Sequence, residues 1–398
     1  MGMGSITIVQ KISFFLFLLA CIKNVSSQPV VFNVMNFGAK ADGKTDDAKV
    51  ILRAWTQACR SVAQSTVLIP HGTYLAGPIL MNGPCKNKIT FQLDGTVKAP
   101  SDMFGKTDWV LFKYINGLTV SGNGTFDGQG ALAWSQNQCS KKEKGGKCTF
   151  PISLRLNFVT DATITGISSI DSKIAHMNIF ASNNIKLQNI KISAPAKSLN
   201  TNGIHISASG GVHISDSAIA TGDDCVSIIT GSKNVQITGV TCGPGHGISI
   251  GSMGKSKQFE TVAGVTVKNC TFTDTDNGVR IKTWPAGSAG SVSNLTFEDI
   301  IMDNVKNPIV IDQEYCPYKL CNKQAPSRIK ISDVAFKNIR GTSATKEVLT
   351  LKCGMPCEGV ELSDINLRYN GTDGPATSIC SNVNLILARN VFPPTCTI

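Results

Sequence analysis

The chain has 398 residues, 42% apolar and 16% charged, and its 38 Lys and Arg outnumber 27 Asp and Glu for a formal net charge of +11. That composition excludes a disordered chain, which has too little apolar surface to fold, and the charge favours an acidic partner. Nucleic acid is the first to weigh, but the basic residues are scattered. No basic helix, zinc-ligand spacing or aromatic RNA-binding motif occurs, so no nucleic acid is expected and an acidic extracellular polymer fits better.

At the N-terminus Lys11 precedes an apolar run from Ile12 to Cys21, and small residues follow at Val25-Ser26-Ser27. This layout predicts a secretory signal peptide over 1–27, cleaved after Ser27. The run is shorter than the roughly 20 apolar residues of a membrane span, and no later segment reaches that length, so no membrane association is expected. Losing Lys11 and Lys23 with the leader leaves a net charge of +9. The mature chain, 28–398, is expected to be one secreted, extracellular domain acting as a monomer.

The first element is a helix from Ala48 to Val62, with Asp46 or Asp47 as N-cap and Val50, Ile51, Ala54, Trp55 and Ala58 on one face. The middle of the chain then repeats. A short apolar-x-apolar strand, often just after Asn, Asp or Gly, recurs at Ile185-Lys186-Leu187, Val212-His213-Ile214, Val235-Gln236-Ile237, Val265-Thr266-Val267, Leu295-Thr296-Phe297, Ile329-Lys330-Ile331 and Val360-Glu361-Leu362. Successive units lie 23 to 34 residues apart. Each is too small to bury its own apolar face, so the units must stack as a solenoid. The predicted fold is all-β, a right-handed parallel β-helix whose open end is capped by the short N-terminal helix.

Beyond Cys21 there are 13 cysteines, an odd number for an oxidising compartment. Close spacing suggests Cys139 with Cys148, Cys225 with Cys242, Cys316 with Cys321, Cys353 with Cys357 and Cys380 with Cys396, leaving Cys59 with Cys85 and Cys270 unpaired. Cysteine and histidine do not cluster at metal-ligand spacing, so no metal is expected. Asn123, Asn269, Asn294 and Asn370 each begin an Asn-x-Ser/Thr glycosylation sequon, with Asn269 in a strand pattern that would bury it.

Stacking makes neighbours of residues about one coil apart, because consecutive rungs lie roughly 4.8 Å apart. Asn202 and Asp223 are 21 positions apart, Asp223 and His246 are 23, and His246 and Arg280 are 34. One cleft can therefore hold Thr221-Gly222-Asp223-Asp224-Cys225, Gly245-His246-Gly247 and Arg280-Ile281-Lys282. Adjacent residues of a regular strand face opposite ways, so the chain must bend at Gly222 for both Asp223 and Asp224 to serve. Neighbouring carboxylates cannot both ionise freely, which is how an acid and a base arise in one site. The plainer reading is a solvated Asx turn beside Gly222, with His246 shaping a Gly-rich turn.

These motifs resemble the polygalacturonases, inverting glycoside hydrolases that cut the α-1,4-linked galacturonate chain of pectin. The likeness begins at Phe37-Gly38-Ala39-Lys40-Ala41-Asp42-Gly43-Lys44-Thr45-Asp46-Asp47 and runs through the three motifs above to Asp312-Gln313-Glu314-Tyr315. Asp276-Asn277-Gly278-Val279-Arg280-Ile281-Lys282-Thr283-Trp284-Pro285 is most similar to the plant, pollen-type exopolygalacturonases. The resemblance implies Asp223 as general acid, Asp224 as a water-activating base, and His246 as the residue that orients and tunes the acid. It further implies Arg280 and Lys282 as clamps on substrate carboxylates, and Tyr315, Gln313 and Asn200 as substrate contacts. No cofactor is implied. An inverting pair is expected to stand roughly 6.5 to 9.5 Å apart.

One position departs from the pattern. Asn200-Thr201-Asn202 stands where the family carries Asn-Thr-Asp, and Lys197 and Leu199 replace the Glu and Pro expected before it. An amide can position water but cannot take its proton. Two outcomes follow: a hydrolase in which Asp224 suffices, or a weakened, pectin-binding protein. Deamidation at Asn202-Gly203, which would regenerate Asp, is a third. A calcium-dependent pectate lyase would instead carry carboxylates set for metal and an Arg base.

Overall fold

The computed structural model describes residues 29–136, 149–317, 321–322 and 325–395. Residues 1–27, where a leader is expected, and Cys139, Cys148 and Cys396 lie outside the described residues. Among the described residues every strand pairing is parallel, and strands inside the stack pair with the one a coil before and a coil after, which is the β-helix expected.

The coils share one repeating turn. Ile185, Val212, Val235, Val265, Leu295, Val334 and Val360 occupy one register column, all buried. Immediately before each stands a residue in the left-handed region: Asn184, Gly211, Asn234, Gly264, Asn294, Asp333 and Gly359. Gly pays no Cβ penalty there, and the short polar side chains of Asn and Asp tolerate it best among the rest, so the Asn/Asp/Gly signal before each triplet is a backbone requirement. One unit is misplaced by the sequence pattern. The column runs through Val334-Ala335-Phe336, whereas Ile329-Lys330-Ile331 pairs earlier on the neighbouring strand, with Gly290 to Val292. Both triplets are apolar-x-apolar, and only Asp333 marks the true one.

Two residues on, the same face stacks Leu187, Ile214, Ile237, Val267, Phe297, Phe336 and Leu362, with Phe297 and Phe336 rings parallel at 5.1 Å. The helix spans Ala48–Arg60 and buries Ala48, Ile51, Ala54, Trp55, Ala58 and Cys59 over the first coils, while Val50 falls to its half-buried flank. Asp47 is the N-cap position, yet its carboxylate accepts from the Lys40 and Ala41 amides, and it is Asp46 that accepts the Ala48 amide at 2.9 Å.

Cys59–Cys85, Cys225–Cys242, Cys316–Cys321 and Cys353–Cys357 are bonded as the spacing suggests, Cys380 is also disulfide-bonded, and Cys270 is free and buried. All four sequon asparagines are exposed. Asn269 corrects the expectation of a buried position, because it sits on the left-handed turn residue before Cys270 rather than within the flat strand.

Phe297→Ala deletes a fully buried ring from the internal stack and should cost about 3–5 kcal/mol. Thermal unfolding followed by circular dichroism should show a clear drop in midpoint, whereas Ile301→Ala on the same strand, 40% exposed, should shift it far less.

Candidate active site

Three successive coils build the site. The strands Val226–Ile228, Ile248–Met253 and Asn277–Thr283 lie side by side with Ser227, Ser249 and Arg280 in register. Just ahead of the first, the chain bends at Gly222. A Cβ on Gly222 would sit 1.9 Å from the Ser198 carbonyl oxygen, so no other residue fits the close approach of these coils. The Gly222 amide donates to Thr201 Oγ1 at 2.9 Å, and the Asp224 amide donates to Asp223 Oδ1 at 2.7 Å, which fixes the bend. The two carboxylates consequently have different surroundings: the Asp223 side chain is 23% exposed and that of Asp224 only 3%.

Asp224 is a buried anion held by cations. Its Oδ2 accepts from Lys282 Nζ at 2.7 Å, and its Oδ1 accepts from Arg280 Nη2 at 3.0 Å and Ser249 Oγ at 2.8 Å. Arg280 Nε also donates to Ser249 Oγ at 3.2 Å, which ties the three coils together. Burial alone would push the Asp224 carboxyl up, but the attraction of Lys282 and Arg280 and the hydrogen bonds from Lys282 and Ser249 outweigh it and hold its pKa below the ordinary value.

Asp223 faces a histidine. His246 Nδ1 lies 3.2 Å from Asp223 Oδ1, and its Nε2 lies 3.3 Å from Asp276 Oδ2 on the next coil. Lys306 Nζ holds the other Asp276 oxygen at 2.6 Å. With a carboxylate at each ring nitrogen, the doubly protonated imidazolium is the form that satisfies both. The hydrogen bond to Asp223 pushes the His246 pKa up against its partial burial, with Asp224 and Asp276 adding to the rise. One ligand atom each from Asp223, Asp224 and His246 lies within 4.8 Å of the others, a spacing that would also suit a cation. Both Asp224 oxygens are engaged by Lys282 and Arg280, however, and those charges oppose a metal ion.

Tyr315 stands over the two cations, its ring centroid 5.9 Å from the Arg280 guanidinium carbon and 5.5 Å from Lys282 Nζ. Trp284 meets Tyr315 edge to face at 5.8 Å, and Lys255 Nζ lies 5.1 Å from the Trp284 ring. Gln313, expected at the substrate, is instead an internal brace. It is buried, with Nε2 donating to the Ile329 carbonyl at 2.8 Å and Oε1 accepting the Gly354 amide at 3.0 Å, so its amide faces the coil interior rather than the cleft. Asn200 is a half-buried turn residue in the left-handed region.

Asn202 is half-buried on the coil before Asp224. Its carbonyl accepts the His176 amide at 2.8 Å, and the Gly203 amide donates to the Asp224 carbonyl at 2.9 Å. Deamidation needs the Gly203 nitrogen to attack the Asn202 side chain, and here that nitrogen is committed to a coil-to-coil hydrogen bond. Sequence reading gave no role to Asp276, Ser249 or Lys306. Asp276 was visible as the first residue of its motif; Ser249 and Lys306 emerge only from the register.

Two outcomes are expected. Asp276→Asn removes one carboxylate from the ring, so an NMR titration of His246 should give a lower pKa than in the parent protein. A peptide map of the mature protein should find Asn202 as intact asparagine.

Comparison with known proteins agrees with this geometry. Residues 59–391 match Glycosyl hydrolases family 28. An exopolygalacturonase from Platanus acerifolia is 50% identical over 376 residues, covering 93% of this chain and 99% of that protein, and a polygalacturonase from Gossypium barbadense is 49% identical over 389 residues, covering 96% and 95%. The crystal structure of an endo-xylogalacturonan hydrolase from Aspergillus tubingensis shares the fold with a TM-score of 0.79 at 23% identity, covering 91% of this chain and 100% of that one. By the extent of these matches, the chain belongs to glycosyl hydrolases family 28.

Proposed function

We propose that the protein hydrolyses the α-1,4-galacturonosyl linkages of polygalacturonate, acting from the chain end, in the extracellular space of the cell wall. The observation that carries this reading is the contrast within one dipeptide: Asp223 is open to the cleft beside His246, while Asp224 is buried and neutralised by Lys282 and Arg280. The relatives with exopolygalacturonase and polygalacturonase activity in their names support the substrate. The disulfides and the leader-like residues 1–27 support export, and the exposure of Asn123, Asn269, Asn294 and Asn370 supports their glycosylation.

Asp223 protonates the glycosidic oxygen as the sugar–oxygen bond breaks. Its new negative charge is stabilised by the imidazolium of His246, which Asp276 holds in place. Asp224 takes the proton of the attacking water. Asn202 cannot accept that proton, so base catalysis falls on Asp224 alone, with Asn202 orienting water. Lys282 has three donors and Arg280 five, more than Asp224 uses, and these hold the substrate's carboxylate beneath Tyr315.

The nearest oxygens of the pair are closer than the roughly 6.5 to 9.5 Å expected of inverting carboxylates. Inversion therefore rests on the family alone and is read directly from the anomer released first.

The test is product analysis on polygalacturonate. Galacturonate monomer should appear first, as reducing ends without ultraviolet absorbance, and Asp223→Asn and Asp224→Asn should each lower turnover by about 10²- to 10⁴-fold. An absorbing, unsaturated product would overturn hydrolysis, and an early ladder of oligomers would overturn end-cutting.

A further inference from the structure

The strand face that carries Arg280 and Lys282 continues toward the N-terminus beyond the site. In register with Arg280 lie Ser249, Ser227, His205, Asn178 and Arg155. Two residues further along the same strands, where Lys282 stands in the site, the earlier coils carry Phe180, Asn157 and Lys113. The core of these coils is formed by the alternate residues, such as Phe112, Leu156 and Ile179. Phe180 and the two turn residues Tyr114 and Phe158 face solvent instead, 39%, 51% and 42% exposed.

These three rings form a continuous ladder. Tyr114 stacks on Phe158 at 5.1 Å, and Phe158 meets Phe180 edge to face at 5.6 Å. Lys113 Nζ lies 4.6 Å from the Tyr114 ring, and Arg155, paired with Asp108 at 2.9 Å, stands one column inward. Aromatic faces pack against the C–H faces of sugar rings through the negative ring quadrupole, and cations meet carboxylates. Neither feature contributes to the core.

We propose that this edge is a second, non-hydrolytic binding platform for the uronate polymer. It rests on the polygalacturonate reading and extends it: the ladder's coils lie about three rungs, or ~14 Å, from Asp224 along the same face. The platform holds a segment of a long chain and raises its local concentration at the cleft. A neutral polysaccharide brings no carboxylate to Lys113, whose ammonium meets only the Tyr114 ring among the described residues, and a second copy of this chain carries the same positive charge.

The test is the double variant Tyr114→Ala with Phe158→Ala. Ala181 and Ala208 occupy the same turn on the next coils, with the same left-handed backbone and the same coil-to-coil hydrogen bond, so the fold accommodates alanine there. Affinity for long polygalacturonate should fall about tenfold, while the hydrolysis rate on trigalacturonate stays within about twofold. Lys113→Gln should weaken long-chain binding and reduce its salt dependence.

Unchanged long-chain affinity, an equal loss on trigalacturonate with a lowered melting temperature, equal binding of a neutral glucan, or a wild-type dimer abolished by the variant would each overturn the platform. Ladder-dependent binding by a wild-type protein that hydrolyses nothing would leave the platform standing and remove the hydrolase reading instead.

Discussion

Parallel coil-on-coil registry is the constraint from which the rest of this structure follows. It converts sequence separation into adjacency: Arg280 reaches Asp224 from 56 positions along the chain, and Lys282 does so from 58. The registry is held by backbone hydrogen bonds between coils and by columns of identical environment inside. A site built this way needs little from loops to gather it. Ser249, Arg280 and Lys282 sit on strands, where their direction is set by the two-residue alternation, and Tyr315 reaches them from the turn that follows Asn307–Asp312.

That constraint also explains what could be read from sequence and what could not. The triplet repeat was legible because the turn before it demands left-handed residues, and Asn, Asp and Gly announce that demand locally. The assignment of the sixth unit failed because Ile329-Lys330-Ile331 and Val334-Ala335-Phe336 present the same apolar alternation, and the choice is made by neighbours on other coils. The carboxylate pair, His246 and the two cations were legible as spaced motifs. The bracing role of Gln313 was not, since its partners, the Ile329 carbonyl and Gly354 amide, come from coils with no sequence relation to it. Asn269 misled for a related reason. It lies in a strand-like run between Val267 and Cys270, but it occupies the turn and not the face.

The buried ion cluster shows how the coils support chemistry. An isolated Asp224 would be costly to bury, and its partners compensate only because geometry is good at every contact. Ser249, one coil on, accepts from Arg280 and donates to Asp224, so the guanidinium is oriented as well as paired. Removing Lys282 or Arg280 would leave a charge in a dry environment. The cluster is therefore both a stability element and the means of keeping Asp224 ionised while Asp223, a peptide bond away, remains open to solvent.

Opposite pKa shifts on the two sides of this dipeptide define a pH window. Asp224 has a folded-state pKa below its unfolded value, so its stabilising contribution is complete above the ordinary 3.8 and is lost as pH falls through the lowered value. His246 is shifted up from 6.5, so its contribution is complete below that pH and is lost as pH rises through the raised value. Between these limits Asp224 is anionic and His246 cationic, which is the charge state that both the base and the support of the acid require. The groups facing His246 are Asp223, Asp224 and Asp276, and Lys306 offsets the last of them. The carboxylates around His246 thus extend its cationic form above the pH at which an ordinary histidine loses its proton, and that widens the window from its upper side.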